Sequence, residues 1–176
     1  MSIKQLNASY VSAEDRVVMR VTTTDDKEYR LLLTRAKLRE LLGLLRMEQL
    51  TAVAKEHLTP MAADIAEFKQ QFELNNAKFT AFEPASQLPL GDQPLMVRKV
   101  DINRQDTKEV LELHLAGKLL KLPLTEELSR QIVVVLQTIA DQARWDLPAT
   151  LPQTADEEMT SSPVLPAAKA SQKLLH

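Results

Sequence analysis

The 176-residue chain contains no cysteine. That excludes disulfides, thiolate metal sites and cysteine nucleophiles, and it suits a reducing compartment. Glycine is scarce as well, at Gly43, Gly91 and Gly117 alone. A phosphate-cradling loop needs several glycines within a few residues, so neither a P-loop nor a dinucleotide fingerprint can be written. No apolar run approaches the ~18 residues of a membrane span. The first residues, Met1-Ser2-Ile3-Lys4-Gln5, lack the basic-then-apolar pattern of a secretory signal. A cytoplasmic protein without membrane contact is expected.

Neither sign of charge dominates. The net charge is −2, with +2 on residues 1–57, −3 on 58–93, +1 on 94–145 and −2 on 146–176. This is not the footprint of a dedicated nucleic-acid binder, whose affinity rests on phosphate neutralisation, although a local basic patch stays possible.

What is present is a pattern of short strands and leucine-rich helices. Residues 16–23 and 28–34 are rich in β-branched, aromatic and aliphatic side chains, and Asp25-Asp26-Lys27 between them is a turn signal, so the pair reads as a hairpin. Thr34 can cap a helix through its hydroxyl. Leu38, Leu41, Leu42 and Leu45 then recur at helical spacing up to about His57, before Thr59-Pro60 marks a new helix start.

The second half repeats this order. Residues 109–115 turn at Ala116-Gly117-Lys118 into 119–124, and Thr125 can cap a helix through Leu128, Ile132, Leu136 and Ile139 to about Arg144. A shift of 91 positions places Leu33-Thr34 on Leu124-Thr125, Leu41-Leu42 on Ile132-Val133 and Leu44-Leu45 on Val135-Leu136. Upstream, Ile3-Lys4-Gln5-Leu6-Asn7 resembles Val97-Arg98-Lys99-Val100-Asp101, which gives each unit a first strand. Aliphatic coincidences are cheap, so chance competes with duplication. The recurrence of strand, strand, capping threonine and helix in one order weighs against chance.

Ile132-Val133-Val134-Val135 has strand propensity. Helix is nevertheless expected there, because Thr125 followed by Glu126 and Glu127 is a good helix N-terminus and the run exceeds strand length. Both helices are apolar on more than one face, which predicts that each packs on the other or on a second chain as well as on a sheet. Gly43, in mid-helix, marks either a close helix crossing or a tolerated residue.

A connector, 58–93, contains a predicted helix with Met61, Ile65, Phe68 and Phe72 on one face, then Phe79, Phe82 and a proline-bearing stretch from Glu83 to Pro89. These phenylalanines are expected to cover the end of a core. From Asp146 on, prolines with Ala, Ser and Thr read as a flexible tail, 146–176.

Candidate chemistry is sparse. His57, His114 and His176 show no metal-ligand spacing, and each has an ordinary reading: helix end, solvent-facing strand, tail. The acidic pairs Glu14-Asp15, Asp25-Asp26, Glu126-Glu127 and Glu157-Glu158 fit turns and helix starts. No catalytic residue, metal or cofactor is expected. If Val17, Met19 and Val21 face the core, Arg16 and Arg20 share the opposite face of their strand, and Arg30 joins them from the hairpin partner. Three arginines on an exposed sheet suit phosphates, but binders of single strands interleave such charges with stacking aromatics, and these strands offer only Tyr10 and Tyr29.

Two resemblances follow from these residues. The strand order, Tyr29-Arg30-Leu31-Leu32-Leu33-Thr34 and Lys37-Leu38-Arg39-Glu40-Leu41-Leu42 together resemble the unit of the whirly-type single-strand nucleic-acid-binding family. That resemblance implies paired units with helices inside and sheets outside. Asp101-Ile102-Asn103-Arg104, the following hairpin and the helix to Ala143 resemble the YjeJ-like proteins, a bacterial family without an established activity, which implies a bacterial cytoplasmic protein.

The expected fold is α+β: tandem duplicated βββα units, 1–57 and 94–145, with antiparallel sheets on two central helices as a pseudo-dimer. The expected function is a non-enzymatic binding or scaffolding protein whose partner is another protein or a second copy of itself. The alternative is a single-stranded nucleic-acid-binding module using Arg16, Arg20 and Arg30.

Overall fold

Alternation along the strands decides which face is buried. The computed structural model describes residues 2–56, 68, 81–105 and 108–147. Among the described residues it is an α+β structure in which the helices Arg35–Glu56 and Glu126–Gln142 and two antiparallel-rich sheets are delimited. The first sheet holds β1 (Ile3–Val11), β2 (Arg16–Thr23), β3 (Glu28–Thr34) and β4 (Leu95–Met96) in that order. Val17, Met19 and Val21 of β2 are fully buried, opposite Leu33, Leu31 and Tyr29 of β3 and Tyr10, Ala8 and Leu6 of β1. Successive side chains point to opposite faces, so Arg16, Arg20 and Arg30 lie on the outer one.

The second sheet has β5 (Lys99–Gln105), β6 (Lys108–His114) and β7 (Leu119–Leu124). Its inner face is built the same way, from Val100 and Ile102 opposite Leu113 and Leu111, which face Leu120 and Leu122. Gly117 closes the β6–β7 turn at φ +72°, and Asp26 takes φ +58° in the β2–β3 turn. Both residue types tolerate this left-handed geometry.

Threonine starts both helices. Thr34 Oγ1 accepts from Lys37 N at 3.3 Å at the head of α1 (Arg35–Glu56), and Thr125 Oγ1 accepts from Leu128 N at 3.1 Å at the head of α2 (Glu126–Gln142). Such a cap satisfies an amide that lacks an intrahelical partner and contributes about 1 kcal/mol. At the other end of α2, Arg144 adopts φ +54°, and Trp145 N donates back to Ala140 O at 2.9 Å. This is the Schellman closure, here with a non-glycine residue in the left-handed position.

Strand propensity loses at Ile132–Val135 because burial wins. α2 buries Leu128, Ile132, Val133, Val134, Leu136, Ile139 and Ala140, each worth roughly 1–3 kcal/mol in transfer free energy. α1 buries Leu38, Leu41, Leu42 and Leu45. The helices pack on each other, α1 also touches β3 and β5, and α2 touches β1. Polar side chains bridge the helix pair. Buried Arg46 donates from Nη2 to Gln137 Oε1 at 2.6 Å, and Gln137 Nε2 donates to Asp141 Oδ1 at 2.9 Å. Burial lowers the pKa of Arg46, and the Asp141 carboxylate opposes that shift.

Three expectations need amendment. The strand expected at Val97–Asp101 is divided between the sheets. Leu95–Met96 pairs in parallel with Leu31–Leu32, Val97 N donates to Leu32 O in the first sheet, and Arg98 N donates to His114 O in the second. A two-residue strand is too short to leave a periodic signal. Of the apolar face expected at Met61, Ile65, Phe68 and Phe72, only Phe68 is among the described residues, helical and 73% exposed. The rest of that face, Phe79, His57 and the tail from Pro148 onward lie outside the described residues. Phe82 is described and does not join the core. It lies on the outer face of the first sheet, over Arg20.

Of the two readings of Gly43, tolerance holds: a Cβ added there meets nothing within 4 Å. Gly43→Ala therefore stabilises the protein by about 0.8–1 kcal/mol, the helix-propensity difference. Urea denaturation should show a higher midpoint with an unchanged slope.

Candidate binding face on the first sheet

The outer face of β2 and β3 begins with a conflict of charge. Arg20 and Arg30 are direct cross-strand partners, and like charges in that relation repel. Glu28, two residues before Arg30 on the same face, resolves it. Its Oε1 accepts from Arg20 Nε and from Arg30 Nε, each at 2.7 Å, and its Oε2 accepts from Ala85 N at 3.3 Å. The Glu28 side chain is wholly buried, while Arg20 and Arg30 each keep 27% of their side-chain surface exposed.

Burial alone would push the Glu28 carboxyl upward. The hydrogen bonds from Arg20 and Arg30 and the Ala85 amide outweigh that effect and hold it down at about 2. A carboxylate with several donors favours its charged form in this way. Arg20 and Arg30 are thereby positioned: each guanidinium is anchored by its Nε. Arg30 Nη1 donates to Asp92 O at 2.9 Å. Arg20 Cζ lies over the Phe82 ring, 4.0 Å from its centroid, a cation–π contact.

Arg16 stands apart from this pair. It lies on the same face of β2, four residues and so about 13 Å along the strand, with Nη1 3.6 Å from Glu14 Oε2. The structure brings together two of the three arginines read from the sequence. It adds Glu28 and Phe82, which that reading missed. Glu28 carried a signal, since it alternates with Arg30. Phe82 carried none, because it arrives from more than 50 residues downstream.

Residues 81–92 cross this outer face as a strap. Gln5 Nε2 donates to Ala81 O at 2.8 Å and Gln5 Oε1 accepts from Glu83 N at 3.0 Å, so one side-chain amide pairs with the strap backbone. Lys4 Nζ lies 2.9 Å from Glu83 Oε2. Ser86 bonds the Asp26 carboxylate through its amide and its hydroxyl, and Gln87 N donates to Asp26 O at 3.2 Å.

The second sheet carries a different outer face. Lys99 Nζ and His114 Nε2 lie 2.8 and 3.0 Å from Asp101 Oδ2, and Lys121 Nζ lies 2.8 Å from Glu112 Oε1. Lys99–Asp101 runs along β5, His114–Asp101 is diagonal between β5 and β6, and Lys121–Glu112 is a direct cross-strand pair. Asp15, from the first acidic pair, has a structural partner instead. Its Oδ1 accepts from Trp145 Nε1 at 2.7 Å and Tyr10 Oη at 2.8 Å, fastening the end of α2 to the β1–β2 turn. Those two bonds lower the Asp15 pKa.

Glu28 gives the fold a definite acid response. Its folded pKa of about 2 lies below the ordinary 4.5, so its contribution is complete above pH 4.5 and fades as pH falls toward 2. Glu28→Gln should cost about 2–3 kcal/mol at pH 7, the value of hydrogen bonds to a charged group. In urea titrations, the gap between wild type and variant should close between pH 4.5 and 2; a gap independent of pH would show that Glu28 does not carry the charge described. Among the described residues, no group of three or more His, Asp or Glu could hold a metal ion, and no helix is long and apolar enough to cross a membrane. Compared with known proteins, the chain matches no family model, no curated protein and no solved structure.

Proposed function

We propose that this is a non-enzymatic binding or scaffolding protein of the bacterial cytoplasm, built from two copies of one βββα unit that work as a pseudo-dimer. The contact between Arg46 and Gln137 carries the architecture. These residues are 91 positions apart, which is the shift that aligns Thr34 with Thr125 and Leu41 with Ile132. In a two-fold arrangement, a residue that touches its own counterpart sits on the axis.

The strand registers support the same reading. Met19 and Val21 match Leu111 and Leu113 at a shift of 92, and Leu6 matches Val100 at 94. Each step in the shift falls where the second half is shorter: the paired Gln105 and Lys108 are three positions apart against five for Val11 and Arg16, and His114 and Leu119 are five apart against six for Thr22 and Glu28. With α1 reaching β5 and α2 reaching β1, the helices occupy the interior and the sheets turn their polar faces outward. Those faces are the recognition surfaces.

Affinity capture from host extract followed by cross-linking tests the scaffolding reading. A protein partner retained by wild type should be lost from Lys99→Glu/Lys121→Glu, which inverts charge on the second sheet without touching the core. Equal retention by both, or none, removes this surface from the proposal.

A single-stranded nucleic-acid-binding module is the second reading, and it is favoured by one observation. The Arg20 guanidinium carbon lies 4.0 Å from an aromatic ring centroid, with Arg30 beside it, and arginine guanidiniums also take nucleic-acid bases against them. The resemblance to whirly-type units points the same way. With two or three phosphates engaged, affinity should fall roughly 7- to 20-fold between about 50 and 200 mM salt. Gel shifts with single-stranded DNA and RNA should show this for wild type. The shift should vanish when Arg16→Ala is combined with Arg20→Met/Glu28→Met/Arg30→Met, which removes the buried carboxylate with its partners. No retention at low salt overturns this reading.

A further inference from the structure

The strap lies where a ligand of the first sheet would have to sit. Phe82 lies against the Arg20 guanidinium, and the Asp92 carbonyl occupies Arg30 Nη1. These are a ring against a guanidinium and an oxygen on a guanidinium nitrogen, the contacts that a base and a phosphate make. The strap is held mostly by polar contacts. None of residues 81–92 is buried, and Leu90 alone among them packs against the hydrophobic core. Its side-chain anchors at the surface are Gln5 and Asp26, and buried Glu28 adds its Oε2, which accepts from Ala85 N, and its amide, which donates to Gln87 O. Segments held this way, with few apolar contacts, open locally at far lower free energy than a core strand. Exposed ion pairs such as Lys4–Glu83 add little.

We propose that residues 81–92 are a displaceable, autoinhibitory cover that competes with single-stranded nucleic acid for Arg20 and Arg30. The cover rests on the nucleic-acid reading given above. The intact protein binds weakly because a ligand must first displace Phe82 and the Asp92 carbonyl. Anything that holds the strap away from the sheet raises affinity without new contacts, since the arginines are already positioned by Glu28. The strap belongs to the connector between the halves. A partner that pulls on the connector would therefore switch the face on.

Two variants separate the possibilities. Gln5→Ala/Asp26→Gly removes strap anchors and leaves the arginines intact; glycine suits the φ of +58° at position 26. Phe82→Ala removes the competing ring alone. Hydrogen exchange at the Ala85, Ser86 and Gln87 amides reports the strap. Fluorescence anisotropy with a labelled oligothymidine of about 20 nucleotides reports binding at low salt. The expected result is faster exchange in the anchor variant and at least about tenfold tighter binding in both. Adding Arg20→Met/Glu28→Met/Arg30→Met should remove the gain. Wild-type binding that neither variant improves, or that Phe82→Ala weakens, overturns the cover and leaves the nucleic-acid reading standing. Unchanged exchange in the anchor variant overturns the claim that Gln5 and Asp26 hold the strap. Absence of binding by wild type at low salt overturns the nucleic-acid reading, and the cover falls with it.

Discussion

The structure depends on the width of the apolar surface of α2. A helix lying on one sheet has a single stripe to bury, yet Leu128, Ile132, Val133, Val134, Leu136, Ile139 and Ala140 wrap around more than one side of this helix. Its cover comes from α1 and from β1 of the first sheet. Neither half can therefore close its own core, and the chain folds through contacts between parts more than 100 residues apart. The Trp145 indole, bonded to Asp15 across 130 positions, fixes the same relation at the rim.

The outer faces of the two sheets differ. The first is crossed by the strap, and β4 covers part of the edge of β3. On the second, β7 is an edge strand. Open edges invite pairing with other chains. Leu32 turns its carbonyl toward Val97 beside β4, so its amide faces that way too. On the duplication reading its counterpart, 91 positions on, is Pro123. Proline there removes an outward amide where no ladder bond is lost, which blunts the edge. Beside β3 the sheet edge is partly filled, and at β7 it is blunted.

Much of this was legible because periodicity survives translation from sequence to structure. The buried sets Val17/Met19/Val21 and Leu31/Leu33, both threonine caps and the α2 helix over its β-branched run were all readable from spacing and capping chemistry. What was not legible depends on distance. Phe82, Ala85 and Asp92 meet Arg20, Glu28 and Arg30 only because the chain returns across the sheet, and no local pattern encodes that return. The two-residue β4 and the split at Val97–Arg98 belong to the same class. Phe82 was misplaced in the core because an aromatic in a connector is usually buried, whereas here the guanidinium of Arg20 offers it a partner at the surface.

Glu28 shows why the outer face is polar rather than simply exposed. A buried carboxylate is rarely a source of stability when compared with a well-packed apolar residue. A leucine at position 28 would leave Arg20 and Arg30 repelling each other across the strand pair, and each would swing into solvent along its own rotamers. With Glu28 between them, both guanidiniums are fixed by a hydrogen bond at Nε. The same carboxylate receives Ala85 through its second oxygen. One acid thus sets the arginine pair and the seat of the strap together. That coupling is what a positioned recognition surface needs and what a merely solvated sheet does not.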